Sequence, residues 1–134
     1  MSNTTREDVA DYLKRVKRAM MQSKTDPRKF VLVMRDKNIS TITRLGYTRD
    51  DVRDSILGLS VEDYCQGPEP DPDVKGDVWV FGKKTQGLEV YVKLKLSGDS
   101  RLEMTRLISF HLAESPLTYP FSPQCTETAP NLGP

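Results

Sequence analysis

Residues Leu88 to Leu96 (LEVYVKLKL) alternate apolar and polar side chains along their whole length. A β-strand sends successive side chains to opposite faces. Val90, Val92, Leu94 and Leu96 therefore share one face, and Tyr91, Lys93 and Lys95 share the other. The second face carries a phenol and two ammonium groups in a row, each about 7 Å from the next. Leu107 to Leu112 (LISFHL) reads as another strand and holds His111, the only histidine of the chain. A sheet that buries one side and displays Tyr, Lys and His on the other is suited to holding and cutting a phosphodiester backbone. The same alternation also describes an ordinary solvated sheet face, so the pattern defines a candidate site and no more.

The elements that must position these side chains follow from periodicity. Thr5 and Asp8 have the spacing of a capping pair. Val9, Tyr12, Leu13, Val16, Ala19 and Met20 then recur at helical steps, which predicts a helix over Arg6 to Gln22, broken by Thr25-Asp26-Pro27. Phe30 to Met34 reads as a short strand. Asn38 or Ser40 caps a second helix through Ile39, Ile42 and Leu45, closed by Gly46 in a left-handed conformation. Thr48 with Asp51 caps a third, with Val52, Ile56 and Leu57 on its apolar side and Gly58 at its end. Ser60 caps one further turn through Tyr64. Gln66 to Gly76 (QGPEPDPDVKG) is read as a loop, given its prolines and glycines. Its acidic residues Glu69, Asp71 and Asp73 are expected to lie away from any phosphate-binding site. Asp77 to Lys83, Leu88 to Leu96 and Thr105 to Leu112 then form an antiparallel meander, with turns at Lys84–Gly87 and Ser97–Ser100. Leu117, Tyr119 and Phe121 pack back onto the body, and residues 122–134 form a disordered tail.

Bulk properties bound the class. A chain of 134 residues with 37% hydrophobic and 29% charged residues has room for one ordinary core. No apolar run approaches the roughly 20 residues needed to span a bilayer. The polar N-terminus is neither a signal nor a transit peptide, so a cytoplasmic location and no membrane partner are expected. The formal net charge of +1 hides a basic stretch between Lys14 and Arg53 and an acidic one from Glu62 to Asp73, an asymmetry that permits nucleic-acid binding. Cys65 and Cys125 match no zinc or redox spacing, and with one histidine no structural zinc site is expected.

The order of these pieces resembles the MqsR-like toxins of bacterial type II toxin–antitoxin systems, within the wider RelE-fold group of mRNA interferases. The resemblance is carried by ILGLSVEDY (Ile56 to Tyr64), DVWVFGK (Asp77 to Lys83), EVYVKLKL (Glu89 to Leu96) and ISFHLAESPLTYPF (Ile108 to Phe121). It implies an α+β fold, N-terminal helices packed on a twisted antiparallel sheet, with residues 1–121 as a single domain. It further implies an endoribonuclease that cleaves single-stranded RNA without metal or other cofactor and is neutralised by a cognate antitoxin protein. By position, Tyr91 falls on the family's tyrosine and His111 where a lysine is typical. Gln66 falls where a lysine is expected, and Val80 is nearest to the family's glutamine.

Such chemistry needs a base for the 2′-OH, cations for the phosphorane and an acid for the leaving 5′-oxygen, with each acid–base group contributing ~10² to 10⁴-fold. His111 can serve as either acid or base. Tyr91, beside Lys93 and Lys95, is expected to have its phenolate favoured and to act as the partner of His111 or as a phosphate donor. Lys93 is assigned to the phosphorane, and Lys83, Lys84, Lys95 and Gln66 to RNA binding. Tyr47, Tyr64 and Tyr119 are the available base-stacking platforms. The departures at Gln66 and Val80 keep a second reading open, a non-catalytic RNA- or protein-binding domain of the same fold.

Overall fold

Helix α1 (Arg6–Gln22) starts where the capping pair requires: the Asp8 amide donates to Thr5 Oγ1 at 3.1 Å and the Thr5 amide to an Asp8 carboxylate oxygen at 2.9 Å. The reciprocal bonds satisfy amides that the first turn leaves without partners. In this computed structural model, which describes residues 3–98 and 102–122, the chain continues through β1 (Phe30–Leu32), α2 (Asp36–Leu45), α3 (Arg49–Leu57), β2 (Tyr64–Pro70), β3 (Asp77–Thr85), β4 (Leu88–Ser97) and β5 (Met104–Leu112). The Thr48–Asp51 box opens α3. Gly46 ends α2 with φ of 71°, a conformation that glycine adopts without steric penalty. No helix among the described residues is long and apolar enough to cross a membrane.

The strands form one sheet in the order β1-β5-β4-β3-β2. The β2, β3, β4 and β5 neighbours pair antiparallel, but β1 runs parallel to β5, so the sheet is mixed where a purely antiparallel one was expected. The reason is topological: α2 and α3 and three further strands intervene between β1 and β5, which leaves no hairpin constraint on direction. One face of the sheet packs the core. Val9, Tyr12, Leu13, Val16 and Met20 of α1 meet Trp79, Phe81, Val92, Leu94, Leu107 and Phe110. The Tyr12 and Trp79 rings stack with centroids 4.2 Å apart. The wholly buried Val16, Met20, Phe81, Leu94, Leu107 and Phe110 among them each contribute about 1.5–3 kcal/mol through loss of apolar surface from water.

Three local expectations are corrected. The proline-rich segment is partly strand: Tyr64–Pro70 pairs with β3 at the sheet edge, where prolines are tolerated because an outward amide is not needed. Helix α2 is preceded by Arg35, with no side-chain cap, and Asn38 is buried inside it. The acidic turn does not lie apart, since Asp71 reaches Lys95 on β4. The expected tail beyond residue 122, Cys125, and Asp99–Ser100 of the last turn lie outside the described residues.

Candidate active site

On the side of the sheet away from α1, Tyr91 of β4 stands directly opposite His111 of β5. Their rings stack with centroids 5.2 Å apart and planes 23° from parallel. Both residues are half-buried. This placement depends on a β-bulge. Lys93 pairs with Ser109 and Leu94 with Leu107, so Ile108 is the extra residue opposite Lys93. Strict alternation would put His111 on the face of Leu107. The bulge resets the phase, so Leu107, Phe110 and Leu112 turn to the core side while Arg106 and His111 share the face of Tyr91.

Asn38 holds that irregularity in place. Its Nδ2 donates to the carbonyls of Val33 at 2.8 Å and Ile108 at 3.0 Å, and its Oδ1 accepts from the Phe110 amide at 2.9 Å. Thr41 Oγ1 accepts from the Leu112 amide at 3.1 Å. Beyond Leu107, where β1 has ended, side chains of α2 thus take the place of a neighbouring strand. Asn38 is 0% exposed and serves β5 through both ends of its carboxamide.

The protonation geometry is readable. His111 Nδ1 lies 3.0 Å from the Leu112 carbonyl oxygen. A carbonyl only accepts, so this contact calls for a proton on Nδ1 and leaves Nε2 as the ring nitrogen free to exchange one. Burial raises the pKa of the Tyr91 phenol above its ordinary value, and Glu69, Cys65 and Glu114 reinforce the shift. The expectation of a favoured phenolate is therefore corrected: desolvation and the nearby carboxylates hold Tyr91 as a neutral donor.

The expected cations divide. Lys93 remains on this face, half-exposed, in line with Tyr91. Lys84 is exposed on the same face, opposite Glu89. Lys83 pairs with core-facing Val90, and its Nζ donates to the Gly58 carbonyl at 3.3 Å, so it belongs to the helix side of the sheet. Lys95 is only 5% exposed and bound to Asp71 at 3.0 Å, beneath the turn closed by the Asp71 amide and the Gly76 carbonyl. Neither of these two is displayed as a steering cation. Gln66 is exposed opposite Val80, its amide nitrogen donating to Glu69 at 3.1 Å, while Val80 itself is 2% exposed.

At the other end of the face, Tyr119 lies across Gly82, and its hydroxyl donates to Glu89 at 2.5 Å. Tyr119 and Phe121 do pack back: the Phe121 ring sits 5.3 Å from that of Tyr64. Tyr64 is core, and Tyr47 bonds Thr85, so neither is an open stacking platform. Burial, with Glu89 and Asp63 close by, pushes the Cys65 thiol up to about 12.

Two depressions flank the ring pair. One, of 440 Å³, runs between α2 and the end of β5 past His111, with Lys37 and Glu114 joined at 2.5 Å on its rim. The other, of 250 Å³, lies over the bulge and is bordered by Arg35, Lys93 and Arg106. Sequence reasoning missed Arg35, Arg106 and Asn38. The first two come from distant segments, and Asn38 reads as a helix cap from its residue type alone. The family model described as "Motility quorum-sensing regulator, toxin of MqsA" matches residues 9–112. No curated protein and no solved structure matches the chain.

Proposed function

The chain belongs to the family of MqsR toxins, the toxin member of a toxin–antitoxin pair, and from that premise we propose that it is a metal-independent endoribonuclease of the cytoplasm acting on single-stranded RNA. The observation that carries this reading is the Tyr91–His111 pair, two proton-handling rings stacked on one half-open face with Lys93 two residues along the strand. In this mechanism His111 Nε2 removes the 2′-OH proton and the freed oxygen attacks the adjacent phosphorus. The Lys93 ammonium offsets charge on the phosphorane. The neutral Tyr91 hydroxyl delivers its proton to the departing 5′-oxygen, leaving a 2′,3′-cyclic phosphate and a 5′-hydroxyl. The imidazolium formed on His111 is stabilised by the face of the Tyr91 ring. Gln66 and Lys84, exposed on the same face, contact RNA at its margins. A cognate antitoxin silences the toxin by covering this face.

The test is cleavage of single-stranded RNA by purified protein in EDTA. His111→Ala and Tyr91→Phe should each lower the rate by about 10² to 10⁴-fold. Cleavage that survives both substitutions removes these roles. Salt-sensitive RNA binding without turnover by the unaltered protein would favour the non-catalytic reading, in which Gln66 and Val80 mark a lost activity.

A further inference from the structure

The cleft over the bulge has a charge pattern distinct from the rest of the face. Arg35 precedes α2, Lys93 lies on β4 and Arg106 on β5, and all three border the same 250 Å³. None of their three side chains has an ion-pair or hydrogen-bonding partner among the described residues. The opposite flank differs, since its Lys37 is already tied to Glu114. Asp71 and Asp73 also border the cleft, but Asp71 is spent internally. It is held by Lys95 at 3.0 Å and by the Asp73 amide at 2.9 Å, bonds that keep its carboxyl below the usual range. Asp73 alone opposes three cations there, which leaves an excess of positive charge around a small concavity.

Like charges gathered in one cleft repel one another, and an anion relieves that repulsion. Two guanidinium forks and an ammonium match the oxygens of a phosphate group. Lys93 belongs to both the cleft and the ring pair, standing about 7 Å along the strand from Tyr91, a distance that one nucleotide spans. At the far end of the face the charges are mixed: Glu69 and Glu114 act on Tyr91, and Glu89, opposite Lys84, is held by Tyr119.

We propose that this cleft is a phosphate subsite for single-stranded RNA, seating the backbone phosphate next to the one at Tyr91 and His111. The strand accordingly leaves the ring pair over the bulge, toward Arg35 and Arg106. The inference rests on the RNA-cleaving reading and deepens it by giving the path of the substrate.

The experiment measures binding of a fluorescein-labelled, mixed-sequence 12-nucleotide RNA to the His111→Ala protein over a range of salt concentrations. Adding Arg35→Ala and Arg106→Ala together should weaken binding several-fold for every sequence tested. It should also reduce the slope of log K against log salt by about 0.7 per removed contact. Arg106→Lys should recover part of the loss, and Lys14→Ala, on the outer side of α1, should change neither quantity. Both arginines are exposed, so circular dichroism should report an unaltered fold. Unchanged affinity and slope in the double variant overturn the proposal. So does a variant that binds RNA normally but loses its antitoxin, because the cleft is then a protein-docking patch. RNA that binds with the expected slope yet is not cut by the unaltered protein removes the chemistry while supporting the subsite.

Discussion

Replacing Asn38 by alanine tests the claim that a side chain stands in for a strand. The carboxamide makes three hydrogen bonds in a place with no access to water. Its loss leaves the Phe110 amide as an unpaired buried donor, at about 1–3 kcal/mol, and takes one donor each from the Ile108 and Val33 carbonyls. We expect a total destabilisation of roughly 2–4 kcal/mol. For a chain of this size each kcal/mol lowers Tm by roughly 3–5 °C, so the midpoint should fall by about 10 °C. Thr41→Val removes only the acceptor for the Leu112 amide and should cost about 1 kcal/mol. Thermal melts give the totals, and hydrogen exchange locates the damage. The Phe110 amide should lose protection in Asn38→Ala, and the proximity of the Tyr91 and His111 rings, read by NMR, should weaken. A variant that melts within about 2 °C of the parent and keeps the Phe110 amide protected would falsify the idea that Asn38 holds the bulge.

Two further outcomes follow from the packing of the same face. Asp71 has its pKa depressed in the folded protein by the Asp73 amide and by Lys95, so its contribution is present above the unfolded carboxyl range near about 4 and disappears as pH falls through the folded value. Asp71→Asn should therefore be less stable than the parent to urea at pH 7 and equal to it under strong acid; a gap that persists in acid would refute the linkage. A Cβ on Gly82 would stand 2.1 Å from the Tyr119 hydroxyl, so Gly82→Ala should displace Tyr119 from Glu89 and cost about 1–3 kcal/mol. Adding Tyr119→Ala should then cause little further loss in a double-mutant cycle, whereas fully additive effects would show that the two do not touch.

Local chemistry wrote much of this protein plainly. The Thr5–Asp8 and Thr48–Asp51 boxes and the spacing from Val9 to Met20 specify α1 and the start of α3, because capping and amphipathicity involve residues at most a few turns apart. The alternation in β4 likewise specifies that Tyr91 and Lys93 share a face, since a regular strand leaves no other arrangement. The α+β order of helices before sheet, and the resemblance to a toxin family, were legible for the same reason.

What needed the folded chain is everything decided by partners distant in sequence. Gln66 to Pro70 became an edge strand because β3 offers it a ladder that outweighs its prolines. Lys95 alternates with Lys93 as an outward residue should, yet the turn from Asp71 to Gly76 covers it and claims its charge. Arg35 and Arg106 meet at one cleft only after β1 has paired with β5. Above all, the side on which His111 emerges depends on one extra residue at Ile108. A bulge changes strand phase by a single step, and its free backbone groups must find partners. Here those partners belong to Asn38 on α2, seventy residues away from Ile108 in sequence, and no local pattern in either segment announces the other.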